Sequence, residues 1–340
     1  MSASAPAGAV EHEGRLPHSF YLDEHGALTR ELSPGPLKAA VSCGKGELWV
    51  EIDSTRPSQV AVLEHVFGFH PLSIEDVLNP NSRVKIEEYP GYLFLIIRGV
   101  HFDEGTDDPY DLETYNLCLF IGPHYVVTAH AGRAEAVTAV ARRLEANPEL
   151  MGRGVERLAH AVLDAAVDDY FPILDRLDDF IDSLEDRVFK DFDDAAVHDI
   201  FAVKRLVLGL RRHLGPQREV FNVLTNRPTT LLTPDVQIYF RDIYDHQLRI
   251  ADAIDTYRDL LSSTLDSYLT QVSNRLGATS KRLTAIATLT TPFVVVSGMW
   301  GMNFRHIPWQ DSPHAFWWML VGQIGIGALL LVVLRWRKLV

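Results

Sequence analysis

The stretch that decides the fold is "KRLTAIATLTTPFVVVSGMWGMNF", Lys281 to Phe304. From Leu283 to Trp300 it runs 18 residues without a charge. That is close to the roughly 20 residues that cross a bilayer core of about 30 Å. A second uncharged run of 19 residues, "FWWMLVGQIGIGALLLVVL", follows at Phe316 to Leu334. The two runs predict a pair of membrane-spanning helices joined by a short loop. The first is rich in hydroxyls (Thr284, Thr288, Thr290, Thr291, Ser297), which suits a wet path or a helix neighbour better than lipid on all sides. Pro292 removes one backbone bond and bends the helix, and Thr288, one turn earlier, is placed to help satisfy the freed carbonyl. Taken alone, Gly298 to Asn303 is a helix end followed by a turn.

Charge gives the orientation. Lys281 and Arg282 precede the first run, and Arg335, Arg337 and Lys338 follow the second. Positive residues stay on the cytosolic side, so both termini are expected there and the linker outside. Trp300, Trp309, Trp317 and Trp318 mark the outer interface and Trp336 the inner one. From Lys281 onward there are six basic residues and one acidic residue, a balance of +5. The chain totals −13, so residues 1–280 carry −18. An acidic body excludes a nucleic-acid partner, which needs a basic patch. Two cysteines, Cys43 and Cys118, allow no disulfide framework and no CxxC site. Residues 1–15 lack an apolar core, so no cleaved signal is expected.

Upstream, residues 1–34 are expected to be disordered and 35–150 to form a cytosolic α/β domain. Strand patterns fall at 38–43, 47–52, 92–100, 115–122 and 124–130, with a hairpin at Gly122-Pro123. Helical patterns fall at 57–68, 71–79 and 133–146. Residues 151–282 are expected to be a helical bundle and a long stalk helix, and 283–340 the membrane hairpin. Within the bundle, residues 163–189 read as one helix. Its apolar stripe is Leu163, Val167, Phe171, Leu174, Leu177, Ile181, Leu184 and Val188. Its other face carries Asp164, Asp168, Asp175, Asp178, Asp179, Asp182, Glu185 and Asp186, taken as solvated rather than as a cation site. Thr233-Pro234-Asp235 supplies an N-cap, a proline in the first turn and an early acid. The apolar seam from Ile243 to Leu276 then predicts one helix from about 235 to 300.

These features resemble the CorA family of divalent-cation channels. The resemblance rests on Gly301-Met302-Asn303 between two terminal spans, on "FHPLSIEDVLNPNSRVKIEEYPGYLFLIIRG" (69–99), and on "YFRDIYDHQLRIADAIDTYRDLLSSTLDSYLTQVSNRL" (239–276). It covers roughly residues 35–340. It implies a homopentamer in the cell membrane, with the first span of each copy around a pore. Gly301, Met302 and Asn303 would form the selectivity filter at the outer mouth. Gly277, Ser280, Leu283, Thr284, Ala287, Thr291, Val294 and Gly298 would line or gate the pore. Asp76 and Asp242 would face each other across the subunit boundary and bind regulatory cytosolic Mg²⁺. Without the resemblance, Asp76 is a helix-surface carboxylate and Asp242 a partner for Arg241.

Mg²⁺ would then be both cargo and regulator, with no catalytic cofactor and no catalytic constellation, so no enzyme. Neutral amide oxygens suit an ion that sheds its water reluctantly. Co²⁺ and Ni²⁺ are further expected cargoes. The sequence departs from the family pattern at three places: Gly277 where Asn is common, Ser280 where Met is common, and Arg305-His306 where acids are common. Two other readings stand beside the leading one. A Zn²⁺-selective relative would use His306, His314 and Asp311. A membrane-anchored enzyme or sensor would need the hairpin only as an anchor.

Overall fold

The computed structural model describes residues 17–102, 112–191, 194–227, 231–302 and 312–337. These fall into two compact units, with the boundary between Ser262 and Ser263.

In the first unit, β1 (His18–Leu22) and β2 (Leu28–Arg30) form a hairpin, so the 18–30 part of the segment expected to be disordered is folded. Ser19 explains part of this: its hydroxyl accepts from Leu32 N at 2.8 Å, and Glu31 N donates to its carbonyl. Next comes α1 (Pro34–Cys43), where a strand was expected over 38–43. Pro34 sits in the first turn, Gly44 closes the end in the left-handed region (φ 66°), and Leu37 and Ala40 face the core. Those end signals and the alanines outweigh the short apolar run.

Then follow β3 (Glu47–Asp53), α2 (Pro57–His65), α3 (Pro71–Leu78), β4 (Lys85–Tyr89), β5 (Tyr92–Phe102), β6 (Leu112–Ile121), β7 (Tyr125–His130) and α4 (Glu135–Ala146). The strands make one sheet in the order β2-β1-β3-β7-β6-β5-β4. β3 and β7 pair in parallel, and every other pair is antiparallel. The central strands are apolar on both faces, as expected for a sheet covered on both sides. On one face Val50, Phe94, Phe120 and Val127 pack with Leu37, Leu63 and Val77 from the first three helices and with Phe69 from the turn between α2 and α3.

A 3-10 turn, Pro148–Arg153, leads to α5 (Val155–Asp168) and α6 (Tyr170–Asp186). The expected single helix over 163–189 is thus broken at Asp169. Pro172 has no N–H, and in the first turn of a new helix that donor is not missed. A π-helical turn, Arg187–Asp191, precedes α7 (Asp194–Asn226) and α8 (Pro234–Trp300), the long helix the seam predicted. The Thr233 carbonyl accepts from Val236 N and Gln237 N at the start of α8, and its hydroxyl donates to Glu156 Oε2 at 2.9 Å. Ile243, Ile250, Ile254 and Leu261 are fully buried.

The second unit is the rest of α8 together with α9 (Ala315–Trp336). Both helices are long and apolar enough to cross a membrane.

Candidate functional site

Burial divides the outer part of α8 into two faces. Ala285, Leu289, Phe293, Val296 and Trp300 are buried or half-buried, at helical spacing, and so form one stripe. Gly277, Ser280, Leu283, Thr284, Ala287, Thr291, Val294 and Gly298 are all exposed and lie on the other side of the helix. That face is open, small and hydroxyl-bearing at one end, and apolar at Val294. The threonine protons are used locally. Thr288, Thr290 and Thr291 donate to the carbonyls of Thr284, Ile286 and Ala287 at 2.8, 3.0 and 2.7 Å. Their oxygens keep lone pairs free, so Thr291 offers an acceptor to the open face. The Thr288 hydroxyl, expected to serve the carbonyl freed by Pro292, is spent one turn earlier on Thr284.

The helix ends where the glycines permit. Gly301 N reaches the carbonyls of Ser297 and Gly298 at 3.1 and 3.2 Å, and Met302 N that of Met299 at 3.3 Å. Gly301 and Met302 are exposed. Asn303, Arg305, His306, Trp309 and Asp311 lie outside the described residues, and His314 precedes α9.

In the first unit, Asp76 stands on α3. His70 caps that helix by accepting from Leu72 N at 3.2 Å. Both oxygens of Asp76 are engaged: Ser82 donates to Oδ1 at 3.1 Å, and Lys85 Nζ lies 2.8 Å from Oδ2. Lys85 also meets Glu87 at 2.9 Å. Burial disfavours the ammonium, but the hydrogen bonds to Asp76 and Glu87 outweigh it and raise its pKa. The loop carrying Ser82 is fixed from the sheet. Arg98 donates to the carbonyls of Pro80 and Ser82, and Asn116, its register partner, to those of Asn79 and Pro80.

Asp242 stands on α8 with different neighbours. Its carboxylate, that of Asp164 on α5 and the ring of His246 bring ligand atoms within 4.8 Å of one another. His246 also lies 3.4 Å from Asp168 through Nδ1. Burial pushes the Asp164 carboxyl above its usual range, with His160 and His246 opposing. Within one chain Asp76 and Asp242 each keep their own partners and do not bond one another. Sequence reasoning placed Asp164 on a solvated face and overlooked His246, although His246 is one turn beyond Asp242. On α6 that face is solvated as expected, with Asp175, Asp178, Asp179, Asp182 and Asp186 exposed.

A third cluster ties strands together. Glu51 on β3 lies between His18 and His130, each 3.2 Å away, at the base of a cleft of about 680 Å³. Nδ1 of His130 donates to the Gly132 carbonyl at 3.0 Å. Burial alone would raise the Glu51 carboxyl, but the two imidazoles hold it at about 2.

A family model described as CorA-like Mg²⁺ transporter protein matches residues 44–337. The cobalt/magnesium transport protein CorA of Thermotoga maritima is 33% identical over 262 residues, 76% of this chain and 74% of that protein. The putative metal ion transporter YfjQ of Bacillus subtilis is 31% identical over 261 residues, 76% of this chain and 79% of its own. The solved CorA magnesium transporter of Methanocaldococcus jannaschii superposes with a TM-score of 0.82 at 19% identity, covering 94% of this chain and 97% of that one. With open and buried faces on one apolar helix, a second apolar helix beside it and a family match over most of its length, this chain belongs to the CorA-like Mg²⁺ transporters, a family of membrane transporters rather than enzymes.

Proposed function

We propose that the protein is a passive, membrane-potential-driven Mg²⁺ channel, gated by cytosolic Mg²⁺ and open also to Co²⁺ and Ni²⁺. It works as a homopentamer in the cell membrane with both termini in the cytosol. The observation that carries this reading is the face of α8 from Gly277 to Gly298. It is exposed along its whole length, opposite the buried or half-buried stripe, whose Phe293 packs on Gly327 of α9. A helix with only one covered side needs a further neighbour or water, and five copies around an axis supply both. Lined this way, the path offers threonine oxygens and no fixed charge, so a divalent cation can enter and leave without being held. Gly298 and Gly301 narrow the helix end, and Asn303 supplies an amide oxygen at the mouth.

The regulatory ion fits the Asp242 side. Two carboxylates and an imidazole within 4.8 Å form a donor set for a divalent cation. The imidazole favours Co²⁺ or Ni²⁺ over Mg²⁺. Asp76 has to exchange Lys85 for such an ion. An ion that binds the shut state better than the open one shifts the population toward shut.

The test is flux into liposomes loaded with a Mg²⁺-sensitive dye. Wild-type protein is expected to pass Mg²⁺ in proportion to the imposed potential, and Asn303→Ala to lose most of that flux. No flux, or flux indifferent to the substitution, would overturn the reading. Zn²⁺ outcompeting Mg²⁺ in the same vesicles would favour the zinc-selective alternative.

A further inference from the structure

Between Phe316 and Leu334, Gln323 is the one side chain able to donate and accept hydrogen bonds through an amide. It is not turned outward; it is 7% exposed, while Val321, Ile324 and Ile326 around it are open. Its Nε2 donates to Ser297 Oγ at 3.1 Å and approaches the Phe293 carbonyl at 3.4 Å. One turn along α9, Gly327 is the floor under the Phe293 ring. A Cβ there would lie 2.6 Å from Phe293 Cζ, closer than real Cβ atoms come, and 3.0 Å from Cε2, a tight contact, so the ring would have to shift. The contacts form two tiers, each using residues one turn apart on each helix. In the polar tier Gln323 grips Ser297; in the apolar tier Phe293 fills the notch at Gly327. An amide in a lipid-facing helix has few alternative partners, and a glycine notch admits only one depth and one rotation of its ring.

The place matters. Pro292, directly before Phe293, interrupts the helix ladder of α8. Everything beyond it, including Gly298 and Gly301-Met302, is therefore less firmly tied to the helix below. Ser297 lies in the last turn, and its carbonyl receives Gly301 N.

We propose that Gln323 and Gly327 are positioning residues. They clamp the outer end of α8 to α9 at one height and rotation, and so hold the Gly298–Met302 face turned away from the second span, where it can select ions. The flux part of this proposal rests on the transport reading above; the clamp itself does not.

The experiment uses the full chain in membranes. Gly327→Ala is expected to lower Mg²⁺ flux about five-fold, the scale of one lost helix–helix contact. Phe293→Leu in the same chain, by shortening the ring, is expected to restore it. Gln323→Leu, of similar volume, is expected to keep assembly intact and change the Mg²⁺-to-Ni²⁺ flux ratio. Wild-type flux and ratio in both single variants would overturn the clamp, as would a folded Gly327→Ala protein that Phe293→Leu does not rescue. Should the wild-type protein pass no divalent cation, the transport reading falls and the clamp is judged separately. For that, Ser297→Cys and Gln323→Cys are combined with Cys43→Ser, a protease site is placed in the 303–311 segment, and the thiols are oxidised. The two fragments are expected to stay joined until reduced; fragments that separate without reductant would overturn the clamp.

Discussion

At the scale of single residues, the decisive fact about Asp76 is its partner. The sequence pointed to the carboxylate but not to Lys85. They meet because β4 returns beside α3 after a loop that Arg98 and Asn116 hold in place. Lys85 is in effect a tethered monovalent cation on a site proposed for a divalent one. Its side chain is 30% exposed and that of Asp76 23%, so the pair is worth no more than about 1 kcal/mol. Lys85→Gln is accordingly expected to lower the Mg²⁺ concentration for half-maximal protection from proteolysis by a factor of about two to five. An unchanged midpoint would mean that Lys85 does not compete. Asp242→Ala is expected to raise the same midpoint, and protection indifferent to it would remove Asp242 from the regulatory site.

Elements are held by contacts that no local pattern announces. β1 is tied to β3 and β7 through the His18–Glu51–His130 cluster. The pKa of His18 is raised above 6.5, first by its hydrogen bond to Glu51. Its contribution is therefore fully present below 6.5 and is lost as pH rises through the raised value. Glu51, held at about 2 against an ordinary 4.5, contributes above 4.5 and loses that contribution as pH falls toward 2. Hydrogen-exchange protection of His18–Leu22 is expected to peak between these limits and to fall by pH 9, and Glu51→Gln is expected to flatten the profile. The helices have a similar tie. The Gln217 side chain accepts from Arg98 N at 2.9 Å and donates to Gln247 at 3.2 Å, all of it buried. Gln217→Leu strands a buried N–H and is expected to cost about 1–3 kcal/mol in unfolding of the full protein in detergent.

At the scale of the whole molecule, the seam of α8 changes character along its length. Ile243 to Leu261 is buried within the chain, whereas Leu269, Leu276 and Leu283, seven residues apart, are 56%, 64% and 63% exposed. A seven-residue apolar repeat left open by its own chain matches the surface that parallel copies bury between them. Leu276→Glu is expected to shift the protein toward smaller species in light scattering after size exclusion, and retention of the wild-type mass would overturn that expectation.

The sequence by itself determined the two long apolar helix segments, the single long helix and the strands β3, β5, β6 and β7, but not β4. Each depends on a run of side chains whose period or length is visible in one dimension. It also singled out the face of α8 that burial leaves open. Tertiary structure alone decided the rest. The 38–43 run became helix because Leu37 and Ala40 find the core on one side of it, between Pro34 and Gly44, and this outweighs four apolar residues of strand-like run. Residues 18–30 became strands because Glu51 and Ser19 give them partners. Asp164 and His246 joined Asp242, Lys85 joined Asp76, and Gln323 found Ser297. Asp164 with Asp242 and Gln323 with Ser297 are pairings between residues far apart in the chain, and Lys85 meets Asp76 only because β4 returns beside α3; none of these neighbours exists until the elements have packed.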